Sequence, residues 1–207
     1  DGKFYSINNI YFDTENNDLI RTSIDKPAYK EKLRLRSYGV PEFNDIVFLE
    51  IKKKYNGIVN KRRTLLKLNQ AYDFLFDGIM PSEGDYLNAQ VLKELKFFME
   101  FYNPVAKLFL AYDRVAMFGK DDENLRITAD RNIRTRRDDL RLEDGDYGDK
   151  LLQDGQVLIE IKTASSFPVW LVDILTELDM KGTSFSKYGT EYRQFMDNTL
   201  QKRGAIC

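Results

Sequence analysis

Two neighbouring stretches hold most of the chemistry this sequence offers. Lys32, Arg34 and Arg36 alternate with Leu33 and Leu35, and Glu50 and Lys52 then alternate with Leu49 and Ile51. Side chains of an extended strand point alternately to opposite faces, so each stretch has one charged face and one apolar face. The pattern returns with Lys61 and Arg63, with Arg126, Thr128 and Asp130, and with Glu160 and Lys162, while Arg114 continues the face of Leu108, Leu110 and Tyr112. Gathered together, the nine cations Lys32, Arg34, Arg36, Lys52, Lys61, Arg63, Arg114, Arg126 and Lys162 face only three carboxylates, Glu50, Asp130 and Glu160. On any one strand a solvated outer face accounts for the charges. If about seven or eight such strands close into a barrel, however, the charged faces meet in a channel. A channel lined that way repels itself unless an anion fills it.

A chain of phosphates is the natural occupant. Guanidinium groups fork onto phosphate oxygens, lysines act as point charges, and a column of both can follow a linear polyanion. The few carboxylates then suit Mg²⁺ or Mn²⁺, which prefer oxygen and bridge phosphates. Phosphoryl transfer needs positioning and charge neutralisation more than covalent help. The sequence has no histidine, which removes histidine-based nucleophile triads and histidine metal sites. No Gly-rich Walker-type loop is present, so a nucleotide would be held through its phosphates in the channel.

Composition narrows the partners further. With 32 basic and 33 acidic residues the net charge is −1, so anion binding must come from local segregation of charge. The only cysteine, Cys207, allows neither an internal disulfide nor a cysteine zinc site, and fits a reducing, cytoplasmic setting. There is no signal-peptide pattern from Asp1 and no apolar run long enough to span a bilayer. The abrupt start on a strand-like stretch suggests that residues upstream have been removed. Nucleic acid is disfavoured, because Tyr38, Tyr55 and Tyr112 are too scattered to form a stacking surface.

These residues need strands to position them. Residues 3–13, 32–39, 48–54, 59–68, 105–118, 124–130 and 157–163 read as strands, joined by turns at Gly39 to Asn44 and at Asn56-Gly57. Residues 13–18 read as a turn leading toward the basic pair. A helical insert of about 68–103 contains one helix from Leu68 to Gly78, with Asn69 as its N-cap, and another from Asn88 to Tyr102. Arg131 to Asp154 reads as a short strand and an exposed loop, and Lys53, Lys54, Arg62 and Arg134 to Arg137 as ordinary surface. Ser165, Ser166 and Pro168 announce the C-terminal helices, about 168–202. The whole, 1–207, is expected to be a single α+β domain: an eight-stranded antiparallel β-barrel tunnel with flanking α-helices.

The motifs Tyr11-Phe-Asp13, Lys32-Leu-Arg-Leu-Arg-Ser-Tyr-Gly39, Leu49-Glu-Ile-Lys52, Tyr112-Asp-Arg114, Leu125-Arg-Ile-Thr128, Leu158-Ile-Glu-Ile-Lys162 and Ser186-Lys-Tyr-Gly189, in this order, resemble the VTC domain. That is the polyphosphate-polymerase domain of the vacuolar transporter chaperone family, in the triphosphate tunnel metalloenzyme superfamily. The resemblance implies transfer of the terminal phosphate of ATP onto a growing polyphosphate chain with Mn²⁺ or Mg²⁺. It assigns substrate phosphates to Arg34, Arg36, Lys52, Lys61, Arg114 and Arg126, a place on the same wall to Tyr112, the metal to Glu160, and a tunnel mouth to Lys187. Lys32, Arg63, Lys162 and Glu50 are further candidates for substrate binding. A tunnel triphosphatase, hydrolysing tripolyphosphate or nucleoside triphosphates, and a non-catalytic polyphosphate or polyanion binder are the alternatives. Related triphosphatases carry a Glu-x-Glu-x-Lys run in the first strand. Its absence here, and Leu158 two places before Glu160, favour the polymerase.

Overall fold

The computed structural model describes residues 2–81, 84, 86–164 and 166–204. In chain order it contains β1 (Tyr5–Asp13), α1 (Asp18–Ile24), β2 (Tyr29–Tyr38), β3 (Ile46–Tyr55), β4 (Ile58–Lys67), α2 (Leu68–Asp77) and α3 (Ala89–Tyr102). Then come β5 (Val105–Phe118), β6 (Arg126–Arg136), β7 (Asp149–Lys150), β8 (Leu158–Lys162), α4 (Val169–Glu177) and α5 (Lys187–Gly204). The eight strands form one antiparallel sheet ordered β4, β3, β2, β1, β5, β6, with both β7 and β8 paired to β6.

The sheet curls because its middle is bulged. Lys107 of β5 is an extra residue opposite β1, where Tyr11 pairs with Leu108 and Phe12 with Ala106. On the other side of β5 the register slips again between Ala111 and Asp113, and Asn132 of β6 takes a left-handed backbone with φ 49°. Each bulge bends its strand and increases the local twist. Residues of β4 and of β8 therefore line the same central space. The ladder itself stays open: among the described residues β4 pairs only with β3, and β8, five residues long, only with β6. The tunnel is thus a curled sheet whose two edge strands, unpaired with each other among the described residues, line one cavity.

Alternation sets which face holds the core. Leu33, Leu35, Leu49, Ile51 and Leu66 turn outward and bury themselves under Leu75, Leu92, Leu95 and Phe98 of α2 and α3. A second cluster, with Ile7, Leu108, Leu110 and Ile133, fills part of the inner face beside Ile20 of α1 and Tyr188 and Tyr192 of α5. The cationic faces are left to the remainder of the interior. Among the described residues no helix is long and apolar enough to cross a membrane.

Local structure departs from the sequence reading in three places. Residues 18–24 are helical, although Asn17 makes no side-chain cap. The Asp13 carboxylate does that work from outside the helix, accepting the N–H groups of Leu19 and Ile20 at 2.8 and 2.9 Å. Helix α2 begins at Leu68, so Asn69 lies inside its first turn and Gln70 Oε1 accepts the Lys67 N–H instead. Finally, β6 continues to Arg136, and Arg134 to Arg137 are not ordinary surface. Arg136 is buried, stacks on Phe109 and Tyr147, and donates to the carbonyls of Asp139, Arg141, Gly145 and Tyr147, folding that loop around itself. Arg137 forks onto Glu191 at 2.8 and 2.7 Å, tying β6 to α5. Ser165 and Cys207, singled out in the sequence, lie outside the described residues.

Candidate functional site in the tunnel

Antiparallel register converts the alternating faces into cross-strand rows. Lys32, Lys52 and Lys61 stand opposite one another on β2, β3 and β4. The next row runs Tyr11, Arg34, Glu50, Arg63 from β1 to β4. On the other limb Arg126 faces Lys162, Thr128 faces Glu160, and Arg114 faces Asp130. Like charges placed directly opposite destabilise a sheet, and in this row only Lys61 is offset by a carboxylate, Glu50, among the described residues. All these cations, together with Arg36, Tyr112, Glu160 and Lys187, line one cavity of about 530 Å³. Of the three carboxylates singled out from the sequence, Glu50 and Asp130 are missing from that lining and Glu160 belongs to it.

Glu50 lies beneath the cations. It is 2 % exposed, with Arg34 Nε at 2.6 Å and Lys61 Nζ at 2.8 Å. Burial pushes its pKa up, but Arg34, Arg36 and Lys61 outweigh burial and hold it at about 2. It organises the column instead of reaching the cavity. Arg36 is oriented separately, donating to Asn9 Oδ1 at 2.9 Å and to the Tyr112 hydroxyl at 3.4 Å. Asp130 is the counterpart on the other limb: Arg114 forks onto it at 2.6 and 2.8 Å, and Lys187 Nζ reaches it at 2.6 Å. Burial would raise the Asp130 pKa, yet the bonds from Arg114 and Lys187 leave it lowered. Arg114 and Lys187 also lie over the Tyr112 ring, at 5.1 and 4.5 Å. Both buried carboxylates are therefore ionised and spent on holding cations in place.

Other cavity cations have no carboxylate to answer. Lys52 makes no ion pair among the described residues, and Lys32 Nζ reaches only the Ser186 hydroxyl at 3.4 Å. Arg63 lies over Phe48, and Arg126 over Phe118. Buried Arg126 Nε and Thr128 Oγ1 have no hydrogen-bond partner among the described residues. They border a recess of about 20 Å³ shared with Arg114, Glu160 and Lys162, large enough for a water-sized oxygen. Unsatisfied buried polar atoms cost free energy until a partner arrives. An anion oxygen in the recess would give the Arg126 Nε–H an acceptor.

The same recess tests the expected metal. Among the described residues no three acidic side chains converge. Glu160 is half exposed, with Lys162 Nζ at 3.3 Å, and Thr128 stands opposite it. One carboxylate and one hydroxyl, both oxygen donors, fit Mg²⁺ or Mn²⁺ bound chiefly through water and substrate phosphates. They do not amount to an all-protein cage.

Sequence reasoning passed over Tyr11. Its ring lies 5.0 Å from Tyr188, and its hydroxyl accepts from Arg34 Nη1 at 3.2 Å. Burial raises its pKa, but Arg34, Lys32 and Arg36 outweigh burial and bring it to about 8. Its place on the face of Ile7 and Asn9 was legible; that this face turns inward among arginines was not.

The comparisons with known proteins follow the geometry. The VTC domain family model matches residues 1–196. Among solved structures, a Bacillus halodurans protein described as a candidate adenylate cyclase aligns with a TM-score of 0.56 and 16% identity, covering 90% of this chain and 81% of that one. At that identity the likeness carries the fold alone. No curated protein matches.

Proposed function

The chain belongs to the VTC domain family, and on that premise we propose that it is a polyphosphate polymerase, transferring the terminal phosphate of ATP onto a growing polyphosphate chain. The observation that carries the reading is the row Lys32, Lys52 and Lys61, turned into a cavity whose only lining carboxylate among the described residues is Glu160. A lining so poor in acids suits a long, highly charged anion better than a compact metal cluster.

In this reading a terminal oxygen of the acceptor chain bonds to the γ-phosphorus of ATP. The bond from that phosphorus to the β-bridging oxygen breaks, and ADP leaves with the electron pair. Arg34, Arg36, Arg114 and Arg126 fork onto phosphate oxygens and keep the two ends in line, while Lys52, Lys61 and Lys187 offset charge on the transferring group. Lys32, Arg63, Lys162 and Tyr112 extend the cradle. Glu50 serves by fixing Arg34 and Lys61. Mg²⁺ or Mn²⁺ would be held by Glu160 and would neutralise charge on the phosphate oxygens. A location in the cytoplasm, where ATP is abundant, fits this reaction.

Incubation with ATP and Mn²⁺, resolving ADP, free phosphate and polyphosphate, tests the reading. Polyphosphate matched by ADP is the expected result. Free phosphate without polymer would replace polymerase by triphosphatase, and binding without turnover would leave a polyanion binder. Glu160→Gln is expected to lower turnover by about a hundredfold or more with an unchanged unfolding midpoint, because Glu160 is half exposed. Wild-type turnover in that variant would remove Glu160 from the mechanism.

A further inference from the structure

A second recess, of about 290 Å³, opens beside the tunnel between α1, β2, β3 and the start of α5. Lys26, Lys30, Lys32, Lys52, Lys54 and Arg193 line it, and among the described residues no carboxylate does. Lys32 and Lys52 also line the tunnel, so the two spaces share a wall. Register sets Lys30 opposite Lys54 and Lys32 opposite Lys52, two like-charged pairs in succession. None of the six makes an ion pair with a carboxylate among the described residues. Lys30 Nζ donates only to the Ser23 carbonyl, at 3.0 Å, and Lys32 Nζ to Ser186.

Two further observations single the recess out. Lys26 holds a left-handed backbone with φ 53°, a conformation that costs a residue with a Cβ about 1 kcal/mol or more. Ile20, Ile24 and Phe185 supply apolar wall, which lowers the local dielectric and strengthens any charge pairing made there. The like-charged rows, beside an apolar wall, favour an anion in the recess, and the left-handed backbone fixes where Lys26 stands at its rim.

We propose that this recess is a second anion site, continuous with the tunnel, that takes the phosphates of a chain extending beyond the tunnel and so makes the protein prefer long phosphate chains to triphosphate. It rests on the phosphate-chain reading of the tunnel. A chain held in the tunnel reaches the recess past Lys32 and Lys52 at high effective concentration, so the second contact adds affinity without a second independent binding event. Triphosphate, filling only the tunnel, gains nothing from it.

Lys26, Lys54 and Arg193 do not line the tunnel, which makes the two sites separable. Titration calorimetry would compare tripolyphosphate with a long linear polyphosphate on the wild type and on the variant Lys26→Gln, Lys54→Gln, Arg193→Gln. The variant is expected to bind the long chain about tenfold or more weakly and tripolyphosphate within about twofold of wild type, and Lys54→Gln alone should show a smaller change of the same kind. Equal loss for both ligands, or loss for neither, overturns the inference while leaving the tunnel reading intact. A wild type that binds no tripolyphosphate overturns the tunnel reading and this inference with it.

Discussion

Glu50 shows how a single buried carboxylate makes a cationic wall possible. Its pKa in the fold, about 2, lies below the ordinary value of 4.5. A depressed folded pKa adds stability that is complete above the unfolded value and is lost as pH falls through the folded one. The shift corresponds to roughly 3 kcal/mol, lost between about pH 5 and about pH 2. Urea unfolding across that range should show the decline in the wild type and a shallower one in Glu50→Gln. At neutral pH the same variant should be less stable by about 3 kcal/mol, since removing one partner of a buried pair strands the other. A variant as stable as wild type at neutral pH would mean that Arg34 and Lys61 hold their places without it.

At the scale of elements, the tunnel depends on contacts that cross from one element to another. Helix α1 is only seven residues long, and helices that short do not persist alone. Asp13 anchors it through the N–H groups of Leu19 and Ile20, and accepts in addition the Tyr188 hydroxyl of α5 at 3.2 Å. Asp13→Ala should therefore cost about 2 kcal/mol and speed amide exchange in both α1 and the first turn of α5. Exchange confined to α1 would show that Tyr188 is held by packing alone. Lys187 adjoins Tyr188 and reaches Asp130, so the anchor on α1 also bears on where a cavity cation stands.

For the molecule as a whole, near neutrality hides strong segregation. A net charge of −1 coexists with a cavity whose cations far outnumber its carboxylates, and mutual repulsion there works against the ligand-free fold. Lys52, without an ion pair among the described residues and opposite both Lys32 and Lys61, is the informative site. Lys52→Gln should raise the unfolding midpoint of the ligand-free protein by a few degrees, equivalent to about 0.5–1 kcal/mol. It should also shrink the further rise that tripolyphosphate produces, and added salt should narrow the difference between the two proteins. A lower midpoint for the ligand-free variant would mean that Lys52 is stabilised by its surroundings and not strained by them.

The sequence alone determined which residues share a face, because side-chain direction follows from position along a strand. The rows of β2, β3, β5 and β8, the spans of α2 and α3 within a residue, and the ordered family motifs were all legible for that reason. Tertiary structure decided what local pattern does not encode. The cap of α1 comes from Asp13, and the burial of Arg136 depends on a loop folding back over it. Glu50 and Lys52 look equivalent in an alternating strand, yet Glu50 is sealed beneath Arg34 and Lys61 while Lys52 faces open space. Alternation names the side of the sheet; curvature, set by the bulges at Lys107 and Asn132, determines what each side meets.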